Sequence, residues 1–242
     1  MKLAENKIIP YFIGLLEGGG SIQVNHWKHR ILQYRVVIKL KYTPQNYILL
    51  ETIKHNIPLF NLHVRHNYVL LIQNHRSFIE EIIKILDRYS LLTRKKQEDL
   101  AFFKYCFYTR PSMSEFEFLK SNRDLIPRIP KTLNLEDMLS LSWIDWWIVG
   151  FVEAEGCFCV RKNGRISFSI GQKDDQEIIE LVKKWFIMPN KIQSKADGMF
   201  VIEGSNRQML ARVIQFFSSH PLLGEKYIQF LRFQASFESP KD

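Results

Sequence analysis

The chain has 242 residues, 46% of them hydrophobic, which is enough to bury a sizeable core in one domain or two and excludes disorder as the default state. Thirty-four Lys and Arg against twenty-five Asp and Glu leave a formal charge of +9, a field that attracts polyanions. Charge alone leaves open nucleic acid, an anionic membrane surface, or a basic protein that is merely soluble.

Residues 1–10 carry Lys2, Glu5 and Lys7 with no apolar core of secretory length, and no apolar stretch is long enough to cross a bilayer. The expectation is a protein kept in a reducing compartment, with no membrane span. Residues 8–18 are apolar nearly all round, which predicts a helix buried on most faces. Strands are expected over 21–28 and 32–42, followed by a short amphipathic helix over 45–55. A second strand pair follows over 62–65 and 68–73. A helix over 77–89 places Ile79, Ile82, Ile83 and Leu86 on one face, and a further helix ends the segment. Residues 111–130 mix Ser, Asn, Arg and three prolines, the composition of a linker, with one turn of helix around 115–120.

The pattern then restarts. A buried helix is expected over 143–154, and strands over 157–161 and 165–172 are joined by Lys162-Asn163-Gly164, where Asn-Gly is a hairpin signal. A helix over 174–186, strands over 191–195 and 199–203, a helix over 207–218 and a closing helix complete the second pass. Cys157 and Cys159 share one strand face and Cys106 stands alone, which falls short of a zinc ligand set. All three are read as packing or surface residues.

The two passes are copies. Gly14, Glu17 and Gly20 match Gly150, Glu153 and Gly156 at an offset of 136, and Arg76, Lys95 and Phe102 match Arg207, Lys226 and Phe233 at an offset of 131. A drift of five residues is what loop insertions and deletions produce. The fold class is therefore α+β: two pseudo-symmetric αββαββα units, each with an antiparallel four-stranded sheet, joined into a saddle. The units are placed at 1–110 and 142–242, with a linker over 111–141.

Gly14 and Gly18 in one helix, and Gly150 and Ala154 in the other, are small residues four apart on one face, the spacing that lets two helices pack with their backbones close. Gly14-Leu15-Leu16-Glu17-Gly18-Gly19-Gly20 and Gly150-Phe151-Val152-Glu153-Ala154-Glu155-Gly156 resemble the paired signature helices of the single-chain LAGLIDADG homing endonucleases, and the repeated element order resembles that family over nearly the whole chain. The resemblance implies a monomer with an internal pseudo-twofold axis. It also implies that the last acid of each motif holds divalent metal, Mg²⁺, for cleaving two phosphodiesters across the minor groove; carboxylates suit a hard ion of this kind.

Glu155 occupies that position in the second copy, and Gly19, with no side chain, occupies it in the first. One anionic ligand is missing, which puts two-strand cleavage in doubt. Glu17 and Glu153 point elsewhere on their helices and are read as partners for backbone or basic groups. Lys95 and Lys226 match the position where the family carries a lysine near its active site, and a solvated surface role stays open for both.

Strand alternation selects a polar face. In the first unit it comprises Gln23, Asn25, Gln33, Arg35, Lys39, Lys41, His63 and Arg65. In the second it comprises Arg161, Arg165, Ser167, Ser169, Lys191, Gln193 and Lys195. These side chain types read base edges in a DNA major groove, and Asp and Glu are nearly absent from the strands. Trp27 with His26, Lys28, His29 and Arg30 makes a basic aromatic hairpin tip suited to gripping a flank or stacking on an unpaired base. Two readings remain: a nucleic-acid-binding protein with impaired cleavage that clamps double-stranded DNA or structured RNA, as maturases do with intron RNA, or a site-specific endonuclease or nickase using Glu155 and Mg²⁺. The resemblance, and an Ile, Lys, Asn, Phe and Tyr content suited to an AT-rich genome, place it in an organelle, the mitochondrion first.

Overall fold

The computed structural model describes residues 4–126 and 133–239, so Lys2 of the amino-terminal reading and Pro127 and Pro130 of the linker lie outside the described residues. Helix α1 (Glu5–Gly19) leads into the hairpin β1 (Gly20–Trp27) and β2 (Ile31–Lys41). Then come α2 (Pro44–Asn56), β3 (Asn61–Val64), β4 (Tyr68–Gln73), α3 (Arg76–Arg88) and α4 (Arg94–Thr109). Helix α5 (Met113–Ser121), a 3-10 turn (Arg123–Leu125) and α6 (Leu135–Leu139) follow. The series repeats as α7 (Ile144–Glu155), β5 (Gly156–Val160), β6 (Ile166–Lys173), α8 (Gln176–Phe186), β7 (Gln193–Ser194), β8 (Met199–Gly204), α9 (Arg207–Ser219) and α10 (Glu225–Glu238). Each unit thus reads αββαββαα, the αββαββα order followed by the further helix expected at the end of each pass.

Both sheets are four-stranded and antiparallel, in the orders β1-β2-β4-β3 and β5-β6-β8-β7. One face of each is apolar and carries helices, which is why the alternation was readable. Ile22, Val24, Tyr34, Val36 and Ile38 are buried in the first unit, and Phe158, Phe168 and Ile170 in the second. The second core is aromatic: Phe158 meets Phe168, Phe217, Phe230 and Phe233 with ring centroids 5.4–5.5 Å apart. In the first, Tyr34 packs edge-on against Phe103 and Phe107 and donates to the Cys106 carbonyl at 2.8 Å.

Two local expectations are corrected and one is met. The linker holds more helix than one turn, because Ser112 and Glu115 form a capping box and Phe116 is fully buried; Asn134 and Asp137 likewise cap α6 over buried Met138. The expected hairpin link Lys162-Asn163-Gly164 is present as a three-residue loop, with only Gly164 left-handed (φ 74°) and its amide donating to the Arg161 carbonyl at 2.9 Å. The strand expected over 191–195 shrinks to Gln193–Ser194, leaving Lys191 and Lys195 exposed outside it, as a short edge strand.

Candidate nucleic-acid interface and acidic centre

Helices α1 and α7 make the most extensive contact in the molecule, and the small residues explain how. A Cβ on Gly14 would lie 2.1 Å from the Trp147 carbonyl oxygen, and one on Gly150 would lie 1.9 Å from that of Tyr11. Only glycine permits this approach. Gly18 faces Ala154 in the same way, its added Cβ falling 2.5 Å from the alanine methyl.

One turn on, the buried carboxylates lock the clasp to both units. Glu17 accepts from the Leu92 amide at 2.9 Å, from the Thr93 amide and from Trp147 Nε1 at 2.8 Å. Glu153 accepts from Tyr11 Oη at 2.9 Å and from the amides of Leu223, Gly224 and Lys226 at 3.0–3.2 Å. Burial pushes the Glu17 carboxyl up to about 6 against the lowering effect of those donors, and it raises Glu153 likewise. Two further bonds cross between units: the Arg94 amide donates to Asp175 at 2.7 Å and the Glu225 amide to Asn46 at 3.0 Å. The start of each unit's last helix is therefore capped by the other unit.

Beyond the clasp lies the acidic centre. Glu155 is half-buried; burial raises its pKa, while Lys226 and Lys96 hold it down. The Lys226 ammonium also donates to the Gly156 carbonyl. Gly19 is exposed, and a Cβ there would meet only the Ala154 methyl at an ordinary 3.4 Å. Lys95 stands exposed at the start of α4. Its neighbour Lys96, absent from the expected set, is the lysine of this helix that acts on Glu155, and burial lowers its own pKa. Sequence offset alone matched Lys95 to Lys226; side chain direction around the helix could have pointed to Lys96.

On the sheet faces, register brings the expected side chains together. Gln23 stands opposite Arg35 and Asn25 opposite Gln33, all on the face away from buried Val24 and Val36. Lys39 and His63 flank Leu70 from either side, and Lys39 Nζ lies 4.2 Å from the Tyr68 ring centroid. Lys41 opposes Tyr68 at the strand end, near exposed Arg65. The Nε of Arg35 is shielded and has no partner among the described residues. Lys28 and Arg30 are exposed at the β1–β2 tip beside Trp27.

In the second sheet Ser169 lies between Cys157 and Glu203, and Gln193 pairs with Val201. Arg161, Arg165, Ser167, Gln193 and Glu203 line a cavity of about 270 Å³. Ser167 does not stand free as expected: it is buried, and its hydroxyl donates to Glu203 Oε1 at 2.7 Å, which Arg161 also contacts at 3.0 Å. Glu203, Cys157 and Lys173 share this face and were not in the expected set; continuing the alternation along β8 and β6 would have found Glu203 and Lys173.

The profile of the LAGLIDADG endonuclease family matches residues 6–107 and 148–237. A relative from Dictyostelium citrinum, named "Probable intron-encoded endonuclease aI3", is 34% identical over 98% of both chains. The chain belongs to the LAGLIDADG endonuclease family. Among solved structures, the LAGLIDADG homing endonuclease I-GzeII in complex with its DNA target aligns with a TM-score of 0.74 at 18% identity, covering 93% of this chain and 88% of that one. The LAGLIDADG meganuclease I-CpaMI bound to uncleaved DNA also gives 0.74, at 16% identity, covering 94% and 90%. The LAGLIDADG helices of this chain are α1 and α7, and each matched segment includes a whole motif. Among the described residues no helix is long and apolar enough to cross a membrane.

Proposed function

We propose that this chain is a nucleic-acid-binding LAGLIDADG protein in which cleavage of both strands is lost or impaired. The observation that carries the reading is Gly19, bare backbone, at the position matched by Glu155 in the other motif. The residues present limit how the family's divalent metal can be held. A half-buried carboxylate in the field of two ammonium groups, opposite a residue with no side chain, fits one hard ion held by Glu155 and backbone oxygen, but not a pair. Such an ion, Mg²⁺ by its oxygen donors, supplies Lewis acidity toward a phosphate oxygen when bound. Lys96 and Lys226 favour the ionised form of Glu155 against the larger, opposing effect of burial, and they would place positive charge beside a scissile phosphate. The sheet faces and the Lys28–Arg30 tip bind and orient the duplex, with Arg, Lys, Gln and Asn at base edges.

DNA is the ligand of the I-GzeII and I-CpaMI structures, and this chain's faces carry matching chemistry. The same faces suit structured RNA, intron RNA above all, in a maturase-like role that needs no cleavage. The protein acts as a monomer, its two units supplying the symmetry, with boundaries at 1–110 and 142–242. The organelle, in particular the mitochondrion, is its proposed location.

The test uses a supercoiled plasmid carrying the insertion site of the parent intron. With Mg²⁺ the protein should fail to linearise it, yet should retard the duplex or the folded intron RNA in a gel at nanomolar concentrations; robust double-strand cutting would refute the reading, and the preferred probe identifies the ligand. A second reading, a nickase, is favoured by the retained Glu155 between its lysines. It predicts nicked circles that vanish in Glu155→Gln.

A further inference from the structure

Away from the acidic centre, His26 in β1, His29 in the turn beyond it and Glu117 in α5 each bring one metal-ligating atom within 4.8 Å of the other two. We propose that these three residues form a zinc site that pins helix α5 to the tip of the first hairpin.

The backbone holds the ligands together. Lys28 and His29 are both left-handed, with φ of 50° and 52°, and the Arg30 amide closes the turn on the Trp27 carbonyl at 3.0 Å. Asn-Gly adopts this turn without strain; Lys-His does not. The conformation folds the His29 ring over His26, with centroids 3.8 Å apart and planes 30° from parallel. Glu117 completes the set, its Oε1 lying 3.7 Å from His26 Nε2. That carboxylate is not on a free surface segment: the preceding residue, Phe116, is fully buried, and the Ser112–Glu115 capping box fixes the helix start.

Two imidazoles and a carboxylate are a zinc donor set that leaves room for water, whereas Mg²⁺ prefers oxygen alone. Ligands on one zinc at about 2.0–2.1 Å lie roughly 3.4 Å apart, so side chain rotations of about an ångström close the set. One adjustment is required. The His29 amide donates to His26 Nδ1 at 3.3 Å, and ligation through Nε2 needs Nδ1 to carry the ring proton, so this long, water-accessible contact is exchanged for solvent. The loaded site would fix the direction of Trp27, Lys28 and Arg30 relative to the segment joining the units. Glu155 and the acidic centre take no part, and the inference stands whether or not the chain cuts nucleic acid.

The experiment uses tag-free full-length protein stripped with a chelator and then titrated with Zn²⁺ by calorimetry and with Co²⁺ by visible absorption. One equivalent should bind, raise the melting temperature and resist a hundredfold excess of Mg²⁺. His29→Asn, which favours the turn while removing a ligand, and Glu117→Gln should each weaken Zn²⁺ binding at least about tenfold. Absence of binding, displacement by Mg²⁺, or affinity unchanged in a His26→Ala/His29→Asn double variant would overturn the proposal; a cluster that is only a histidine–carboxylate pair gives the first of these results.

Discussion

Trp147 donates its indole N–H to Glu17 at 2.8 Å, and 136 residues out of step Tyr11 donates its hydroxyl to Glu153 at 2.9 Å. Each unit's buried carboxylate thus binds the amides that open its own last helix and one side chain from the other unit. Tyr11→Phe removes a single oxygen and leaves Glu153 on its three amides. The expected loss is about 1.5–3 kcal/mol, the range for a hydrogen bond to a charged group. A lower urea midpoint at unchanged slope would show it; an unaltered midpoint would mean that the bond does not tie the units.

The same carboxylate pair gives a pH signature. Glu17 is raised from 4.5 to about 6 in the folded chain, so the protonated form is the one the fold favours. Its contribution is fully present below 4.5 and is lost as pH rises through about 6. At roughly 1.4 kcal/mol per unit, this is of order 2 kcal/mol. Other carboxyls titrate over the same range, so the readout is the difference between wild type and Glu17→Gln. That difference should change across pH 4.5–6 and be flat above 7.

Glycine positions in the two helices should separate sharply by mutation. Gly14→Ala or Gly150→Ala places a methyl about 2 Å from a backbone carbonyl, which cannot yield without parting the helices, and a loss above about 3 kcal/mol or failure to fold is expected. Gly19→Ala, with only a 3.4 Å methyl contact, should be neutral or gain up to about 1 kcal/mol of helix propensity. Denaturant melts of the three variants decide the matter.

Much of this architecture was legible because its signals are local or periodic. Tyr68–Gln73 was found to the residue, since alternation between a helix-covered face and an open face leaves little freedom. The capping box Ser112–Glu115 is equally visible in the sequence, but the prolines around it favour a linker with a single turn, where α5 has nine residues. What stayed hidden depends on three-dimensional partners: Lys96 turning toward Glu155, Ser167 sinking beneath Glu203, and Asp175 capping a helix 81 residues away. No spacing rule encodes these, because Lys96 and Asp175 meet partners in the other unit and Ser167 meets Glu203 across paired strands of one sheet.

Gly19→Asp tests the missing ligand directly. The site has room for the Cβ, so the variant should fold, with carboxylates at 19 and 155 repelling each other at low salt. Millimolar Mg²⁺ should relieve that repulsion and raise the melting temperature of the variant by a few degrees more than that of wild type, roughly 1 kcal/mol. If two acids suffice to restore the second strand's cleavage, the plasmid used above should be linearised. Equal Mg²⁺ responses in both proteins would mean that position 19 does not face the ion.

Glu203 is the acid that a nucleic-acid-binding face ought to avoid. It sits on an inner strand, with Arg161 and Ser167 both bonded to Oε1, which leaves Oε2 as an acceptor. Phosphates repel it, so its place is against base edges, and the donor a carboxylate accepts from in the major groove is the cytosine amino group. Selection from a randomised duplex pool should therefore show one position favouring cytosine in the wild-type protein. In Glu203→Gln that preference should relax by about 1–3 kcal/mol or move to adenine, which Gln reads, while affinity for all duplexes rises as a negative charge is removed. Identical selected sequences from the two proteins would show that Glu203 serves only to hold Arg161, and the cavity it lines would then have no part in reading sequence.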